Sequence, residues 1–163
     1  LKLMHADAHP GNFLFRSEGQ VGVLDFGCVK EIPEEFYQSY FALLQPEILE
    51  DEAQFMESCR AARIVLPDDS PEEVALYAGI FREALELVIR PFHVERFDFG
   101  DKAYFDAIYT YGEKMGRSDA LRNTRTPRGD KDGIYMNRTY FGLFSILHEL
   151  KAEVDTRRFM GKP

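Results

Sequence analysis

A chain of 163 residues fits one ordinary domain, and its 45% hydrophobic and 29% charged composition is that of a globular rather than a disordered polymer. A net charge of −8 argues against a general nucleic-acid binder. No apolar run approaches the roughly 20 residues that span a bilayer. Two cysteines, Cys28 and Cys59, stand far apart in no paired motif. They argue for a reducing, cytoplasmic setting and against a disulfide framework or a zinc site.

The charge is uneven: residues 1–100 carry a net −11 and residues 101–163 a net +3. In chain order, Leu1-Lys2-Leu3-Met4 runs straight into a polar motif with no visible lead-in, which reads as a fragment of a longer protein. Phe13-Leu14-Phe15 and Val21-Gly22-Val23-Leu24 are short β-like runs around a polar turn, Arg16 to Gln20, and predict a β-hairpin with a five-residue loop. The remainder predicts helices. Ile32-Pro33-Glu34-Glu35 opens the first directly, and Phe36, Tyr37, Tyr40, Phe41 and Leu44 follow at helical spacing. Asp51 to Arg63 is a second, with Phe55, Met56 and Cys59 inward. Ser70 as N-cap and Pro71 as first residue start a third that ends near Arg90, before Pro91. Asp101 to Met115 is a fourth. Ile134 to about Val154 is the last, with Tyr140, Phe144, Leu147 and Leu150 on one side.

Residues 116–133 are polar and rich in helix breakers, and hold Arg117, Arg122, Arg125, Arg128 and Lys131. A loop of that length is either functional or disordered. One reading is a solvated segment. The other is a basic surface for acidic lipid headgroups or a phosphorylated partner.

The chemistry concentrates in His5-Ala6-Asp7-Ala8-His9-Pro10-Gly11-Asn12 and Leu24-Asp25-Phe26-Gly27. Phosphoryl transfer needs a carboxylate to orient or deprotonate the acceptor and hard oxygen ligands to hold Mg²⁺ against the phosphates. Asp7, Asn12 and Asp25 form that set. Asp7 and Asn12 have the spacing of the protein-kinase catalytic loop, where the Asp is the base and the Asn binds metal. The hairpin then returns the chain so that Asp25 lies beside them. Pro10 and Gly11 turn the chain between Asp7 and Asn12, and Gly27 permits a sharp exit after Asp25. His5 braces the loop through backbone or Asp25. His9 orients Asn12 or approaches the phosphates. Taken singly, each residue has a structural reading as an N-cap, a turn residue or a strand end.

This pattern resembles the UbiB/AarF atypical kinases, the coenzyme Q-associated family, in its Ala6 and in the retained Gly27. Aminoglycoside and choline kinases show a similar arrangement but with a Gly before the Asp. Arg138-Thr139-Tyr140-Phe141-Gly142-Leu143 resembles the C-terminal helix of the first family. The resemblance implies a mainly α, kinase-like C-terminal lobe over residues 1–163, with a small β-hairpin bearing the catalytic loop and the Asp-Phe-Gly. It implies ATP and Mg²⁺ as cofactors, Asp7 as the catalytic residue, and Asn12 and Asp25 as the metal and nucleotide ligands. It also implies a link to isoprenoid quinone biosynthesis, an unknown phosphate acceptor, no nucleic-acid partner, and peripheral membrane or lipid contact through residues 117–131. Alternatives are a small-molecule kinase of the aminoglycoside/choline type and a pseudokinase scaffold that binds nucleotide. An Ala-rich nucleotide loop, a strand Lys with its Glu partner and a Lys-x-Gly-Gln segment, the marks of an N-terminal lobe, do not occur in these residues. The chain by itself is therefore expected to bind nucleotide weakly. Ordinary kinase turnover from these 163 residues would overturn that expectation.

Overall fold

The computed structural model describes residues 2–122, 124 and 126–156. Two antiparallel strand pairs build the N-terminal end. β1 (Leu3–His5) enters the motif loop. β2 (Phe13–Phe15) and β3 (Val21–Val23) form the expected hairpin, with Phe13 opposite Val23 and Phe15 opposite Val21. Gly19 takes φ +74° in its five-residue loop, a left-handed conformation that glycine adopts without cost. β4 (Val29–Glu31) pairs with β1, setting Leu3 against Glu31 and His5 against Val29. This pair is absent from the sequence reading, which assigned no strand to Leu3–His5 or Val29–Glu31. Each strand is three residues long, too short for alternation to register, and each exists because the other is there.

α1 (Glu34–Ala42) follows, with Glu34 and Glu35 in its first turn facing the positive end of the helix dipole. α2 (Glu52–Ala61) is capped by the Asp51 carboxylate, which accepts the Gln54 N–H at 3.0 Å. α3 (Pro71–Ile89) starts with a full capping box: Ser70 Oγ accepts from Glu73 N, and the Glu73 carboxylate accepts from Ser70 N. Among the described residues, β5 (Phe97–Asp98), α4 (Lys102–Gly116) with Asp101 as N-cap, the short α5 (Asp119–Arg122), α6 (Gly133–Glu149) and β6 (Glu153–Val154) follow. The helical character expected from the sequence holds. The last helix ends earlier than expected, because Lys151 turns to φ +48° and releases the chain into β6, which pairs with β5. Leu150, expected on the inner face, is 52% exposed.

Three apolar clusters hold these elements. One joins the end of α1 to α2 and α3 through Leu44, Ile48, Phe55, Cys59 and Leu85. A second joins β1 and β4 to α6 through Met4, Ala6, Ile32 and Met136. A third joins β5, α4 and α6 through Phe97, Phe99, Tyr104 and Phe144. Tyr140 packs against all three and stacks on Tyr40 at 6.0 Å between centroids. Its burial pushes the phenol up to about 12. Burial likewise raises the Cys59 thiol to about 11, so Cys59 is an inert core residue.

The basic stretch divides. Arg128 turns inward and makes a bidentate pair with Asp69 (both contacts 2.7 Å), donates to the Ile64 carbonyl at 2.9 Å, and lies 3.4 Å over the Tyr77 ring. Arg122 donates to the Gly116 carbonyl, and Arg117 pairs with Glu113. Arg125 lies outside the described residues. The Arg128 guanidinium, helped by the Leu66 N–H, holds the Asp69 carboxyl down to about 2 against an ordinary 3.8. A depressed carboxylate stabilises the fold fully above its unfolded value and loses that contribution as pH falls through the folded value. The melting-temperature gap between the native chain and Asp69→Asn should therefore be full at pH 6 and close as pH approaches 2. A gap independent of pH would contradict this.

Candidate active site

The motif loop is fastened by hydrogen bonds at several of its residues. Ala6 is fully buried and its N–H donates to the Cys28 carbonyl at 2.8 Å, which ties the loop to the segment after Asp25. His5 bridges the two motifs. Its Nδ1 accepts the Asp7 N–H at 3.3 Å, so the neutral ring carries its proton on Nε2, which donates to the Leu24 carbonyl at 3.2 Å. Of the two braces open from the sequence, backbone or Asp25, the backbone is the one formed.

Asn12, 6% exposed, is the second fastening. Its Nδ2 donates to the Asp7 carbonyl at 3.0 Å and to Asp7 Oδ2 at 3.2 Å. Its backbone carbonyl accepts the Leu24 N–H at 2.8 Å. The two donations fix the amide orientation and leave Oδ1 without a hydrogen bond among the described residues. His9 caps the short turn over residues 10–12 by accepting the Gly11 N–H on Nδ1 at 3.1 Å, and its Nε2 lies 3.5 Å from Asp7 Oδ2. His9 thus faces Asp7 rather than Asn12.

Asp25 takes φ +52°, ψ +82°, and its Oδ1 accepts the Gly27 N–H at 3.0 Å. The sharp turn therefore falls on Asp25 itself, a residue type that tolerates the left-handed region better than most. At Gly27 a Cβ would meet Asp25 Oδ1 at 3.0 Å and press on the carboxylate that closes the turn. Leu24, immediately before Asp25, is held to both His5 and Asn12, and through it the loop and Asp25 share one frame.

The opposite wall comes from α6, more than 120 residues away in sequence, and contains residues that motif reasoning did not single out. Arg138 donates to Asp7 Oδ1 at 3.3 Å. The Thr139 hydroxyl lies 3.2 Å from the His5 carbonyl. Gly142 sits so close to the loop that a Cβ would fall 1.9 Å from the Ala8 carbonyl oxygen. Arg138 and Gly142 are four apart and so share a helix face. That spacing, within a segment already noted for its resemblance, was the available signal. An open cavity of about 490 Å³ lies between Ala6, Asp7 and Ala8 on the loop and Ile134, Asn137, Arg138 and Phe141 on the helix.

Among the described residues, no three His, Cys, Asp or Glu side chains cluster as a metal site. The donors singled out from the sequence are instead one amide oxygen and one carboxylate. Asn12 Oδ1 and Asp25 Oδ2 carry no hydrogen bond among the described residues, and both are hard oxygens of the kind that Mg²⁺ takes in small numbers beside its waters. In donor chemistry these two side chains suit such an ion.

A mostly helical lobe with these motifs belongs to the kinase-like class. Residues 1–59 match the ABC1 atypical kinase-like domain. The zebrafish (Danio rerio) protein "Atypical kinase COQ8B, mitochondrial" is 25% identical over 158 residues, 96% of this chain and 24% of its own. The Arabidopsis thaliana protein "ACTIVITY OF BC1 COMPLEX KINASE 3, chloroplastic" is 55% identical over 31 residues, 19% of this chain and 4% of its own. Among solved structures, the Mycobacterium tuberculosis protein Rv3197 in complex with erythromycin is similar with a TM-score of 0.63 and 26% identity, over 97% of this chain and 37% of that one. These matches bear out the resemblance to the UbiB/AarF atypical kinases, with the family model confined to the motif-bearing residues 1–59. The chain spans about a quarter of the length of the zebrafish relative. Both curated relatives carry organellar names, whereas composition alone suggested a cytoplasmic setting. No helix among the described residues is long and apolar enough to cross a membrane.

Proposed function

We propose that this chain supplies the phosphoryl-transfer residues of an ATP- and Mg²⁺-dependent atypical kinase or ATPase, linked through its family resemblance to isoprenoid quinone biosynthesis. The observation that carries the reading is the hydrogen-bonded unit of Asp7 and Asn12, joined through His5 and Leu24 to the residue before Asp25. In this reading Asp7 orients the acceptor hydroxyl and takes its proton, as a positioned carboxylate does in general-base catalysis. Asn12 and Asp25 hold Mg²⁺, which when bound offsets phosphate charge. His5 keeps the loop and the Asp25 turn in register. Lipid contact through residues 117–131 stays part of the proposal for Arg117, Arg122 and Lys131, while Arg128 is committed to Asp69.

Asp25→Asn tests the ligand assignment, because it keeps an oxygen for the Gly27 N–H and removes the charge. In the longer protein it should weaken Mg²⁺-dependent ATP binding at least about tenfold, the scale of disturbed metal sites. Calorimetry showing wild-type binding would remove Asp25 from the site.

A further inference from the structure

We propose that the cavity between the Asp7 loop and α6 is the acceptor side of the site, and that it takes a hydroxyl compound bearing an oxyanion close to that hydroxyl, selected by Arg138. The inference rests on the phosphoryl-transfer reading and adds its substrate class.

The polar lining of the cavity is three side chains: Asp7, Asn137 and Arg138. Asn137 Oδ1 already accepts the Tyr40 hydroxyl at 3.3 Å, so its amide offers the cavity its N–H end. Arg138 is 58% exposed and uses its guanidinium on Asp7 at 3.3 Å, with no other ion pair among the described residues. A guanidinium carries five N–H donors and no acceptor. The cavity therefore presents one acceptor, Asp7, and two sets of donors. A ligand hydroxyl satisfies Asp7. The donors call for oxygen acceptors on the same ligand, and the fixed cation favours a phosphate or carboxylate that can engage it bidentately. Ile134 and Phe141, 65% and 42% exposed, frame the cavity with apolar surface for the ligand's carbon skeleton.

This arrangement also orders the encounter. An arriving oxyanion competes with Asp7 for the guanidinium, so seating the acceptor draws Arg138 off the carboxylate as the hydroxyl reaches it. Arg138 in this role selects and positions the acceptor.

Two sources supply such a group: a soluble hydroxy-phosphate or hydroxy acid, and a phospholipid headgroup with a free hydroxyl. NMR titration of the 163-residue chain with glycerol 3-phosphate, with glycerol and with inorganic phosphate reads the class. Glycerol 3-phosphate should bind at least about tenfold more tightly than glycerol, the order of one charge-assisted pair. Arg138→Gln should erase that preference. So should Asn137→Asp, which keeps an acceptor for Tyr40 but faces the anion with a charge. Asp7→Asn should tighten phosphate binding, since it frees the guanidinium. Equal binding of glycerol and its phosphate by the folded chain, a preference that survives Arg138→Gln, or looser binding in Asp7→Asn would overturn the proposal. Arg138-dependent binding to phosphatidylglycerol vesicles over phosphatidylcholine vesicles assigns the lipid source. Anion binding without vesicle binding assigns the soluble one. These readouts need no turnover. Loss of the transferase reading with Arg138-dependent selectivity intact leaves an anion site without transfer, and the reverse removes the acceptor assignment alone.

Discussion

Asp7→Asn in the longer protein will lower phosphoryl-transfer turnover by about 10²–10⁴-fold while leaving MgATP binding close to wild type, the range for removal of a positioned acid–base group. The geometry explains why the two effects separate. Asp7 Oδ2 accepts from Asn12 and Oδ1 from Arg138, so the carboxylate is gathered among donors from both walls of the cavity. An asparagine keeps one oxygen for Asn12 and the shape of the loop, but lacks the charge that holds Arg138 and cannot take a proton from an acceptor hydroxyl. Asn12 and Asp25 remain in place, so the nucleotide side should be little changed. Steady-state turnover with parallel calorimetric binding checks this. Full turnover in the variant would show that Asp7 is structural, and a matching loss of binding would assign it to the nucleotide instead.

Gly142→Ala is expected to have the largest effect among single-carbon additions. The new Cβ would sit 1.9 Å from the Ala8 carbonyl oxygen, 2.9 Å from its carbon and 3.0 Å from its Cβ. The obstacle is backbone, so no rotamer change relieves it, and either α6 or the loop must move. Overpacking of this kind costs about 1–3 kcal/mol. At roughly 2–4 °C per kcal/mol for a chain of this size, the melting temperature should fall by ~2–12 °C. The displacement also acts on function, because Ala8 follows Asp7 and the same helix carries Arg138 and Thr139. Turnover in the longer protein should fall more than the fraction unfolded accounts for. Gly112→Ala is the matched control: nothing lies within 4 Å of a Cβ there, and the change should be neutral or mildly stabilising. Equal melting temperatures for the two variants would show that the contact between α6 and the loop is softer than drawn.

Much of the local structure was legible because it depends on neighbours in sequence. The Ser70 cap with Pro71 after it, the helix starts at Asp51 and Asp101, and the hairpin turn with Gly19 are each closed by hydrogen bonds or dihedrals within a few residues. The order and spacing of Asp7, Asn12 and Asp25 were equally visible, since the loop and hairpin that join them span only residues 5–27.

What the chain order does not carry is which distant segments meet. β1 and β4 are three-residue strands without a pattern of their own, and become strands by pairing with each other. The stretch 116–133 read either as a solvated segment or as a basic surface, yet Arg128 reaches 59 residues back to Asp69 and loses its solvent. His5 could be assigned a bracing role from its place before Asp7, but its partner, the Leu24 carbonyl, depends on how the hairpin returns. Arg138, Thr139 and Gly142 stood in a segment that resembles the family's C-terminal helix and carried no site role from sequence; only the packing of α6 on the loop makes them walls of the site.

The sequence by itself thus determined the chemical inventory, an acid, an amide and a second acid on a short turn and hairpin, together with the helices around them. Tertiary structure decided which side of Asp7 faces a cation and how closely a helix can approach the loop. It also decided which of the basic residues remain free. Those outcomes turn on desolvation and steric fit between segments 59 to 131 residues apart, and periodicity and spacing along one segment hold no information about either.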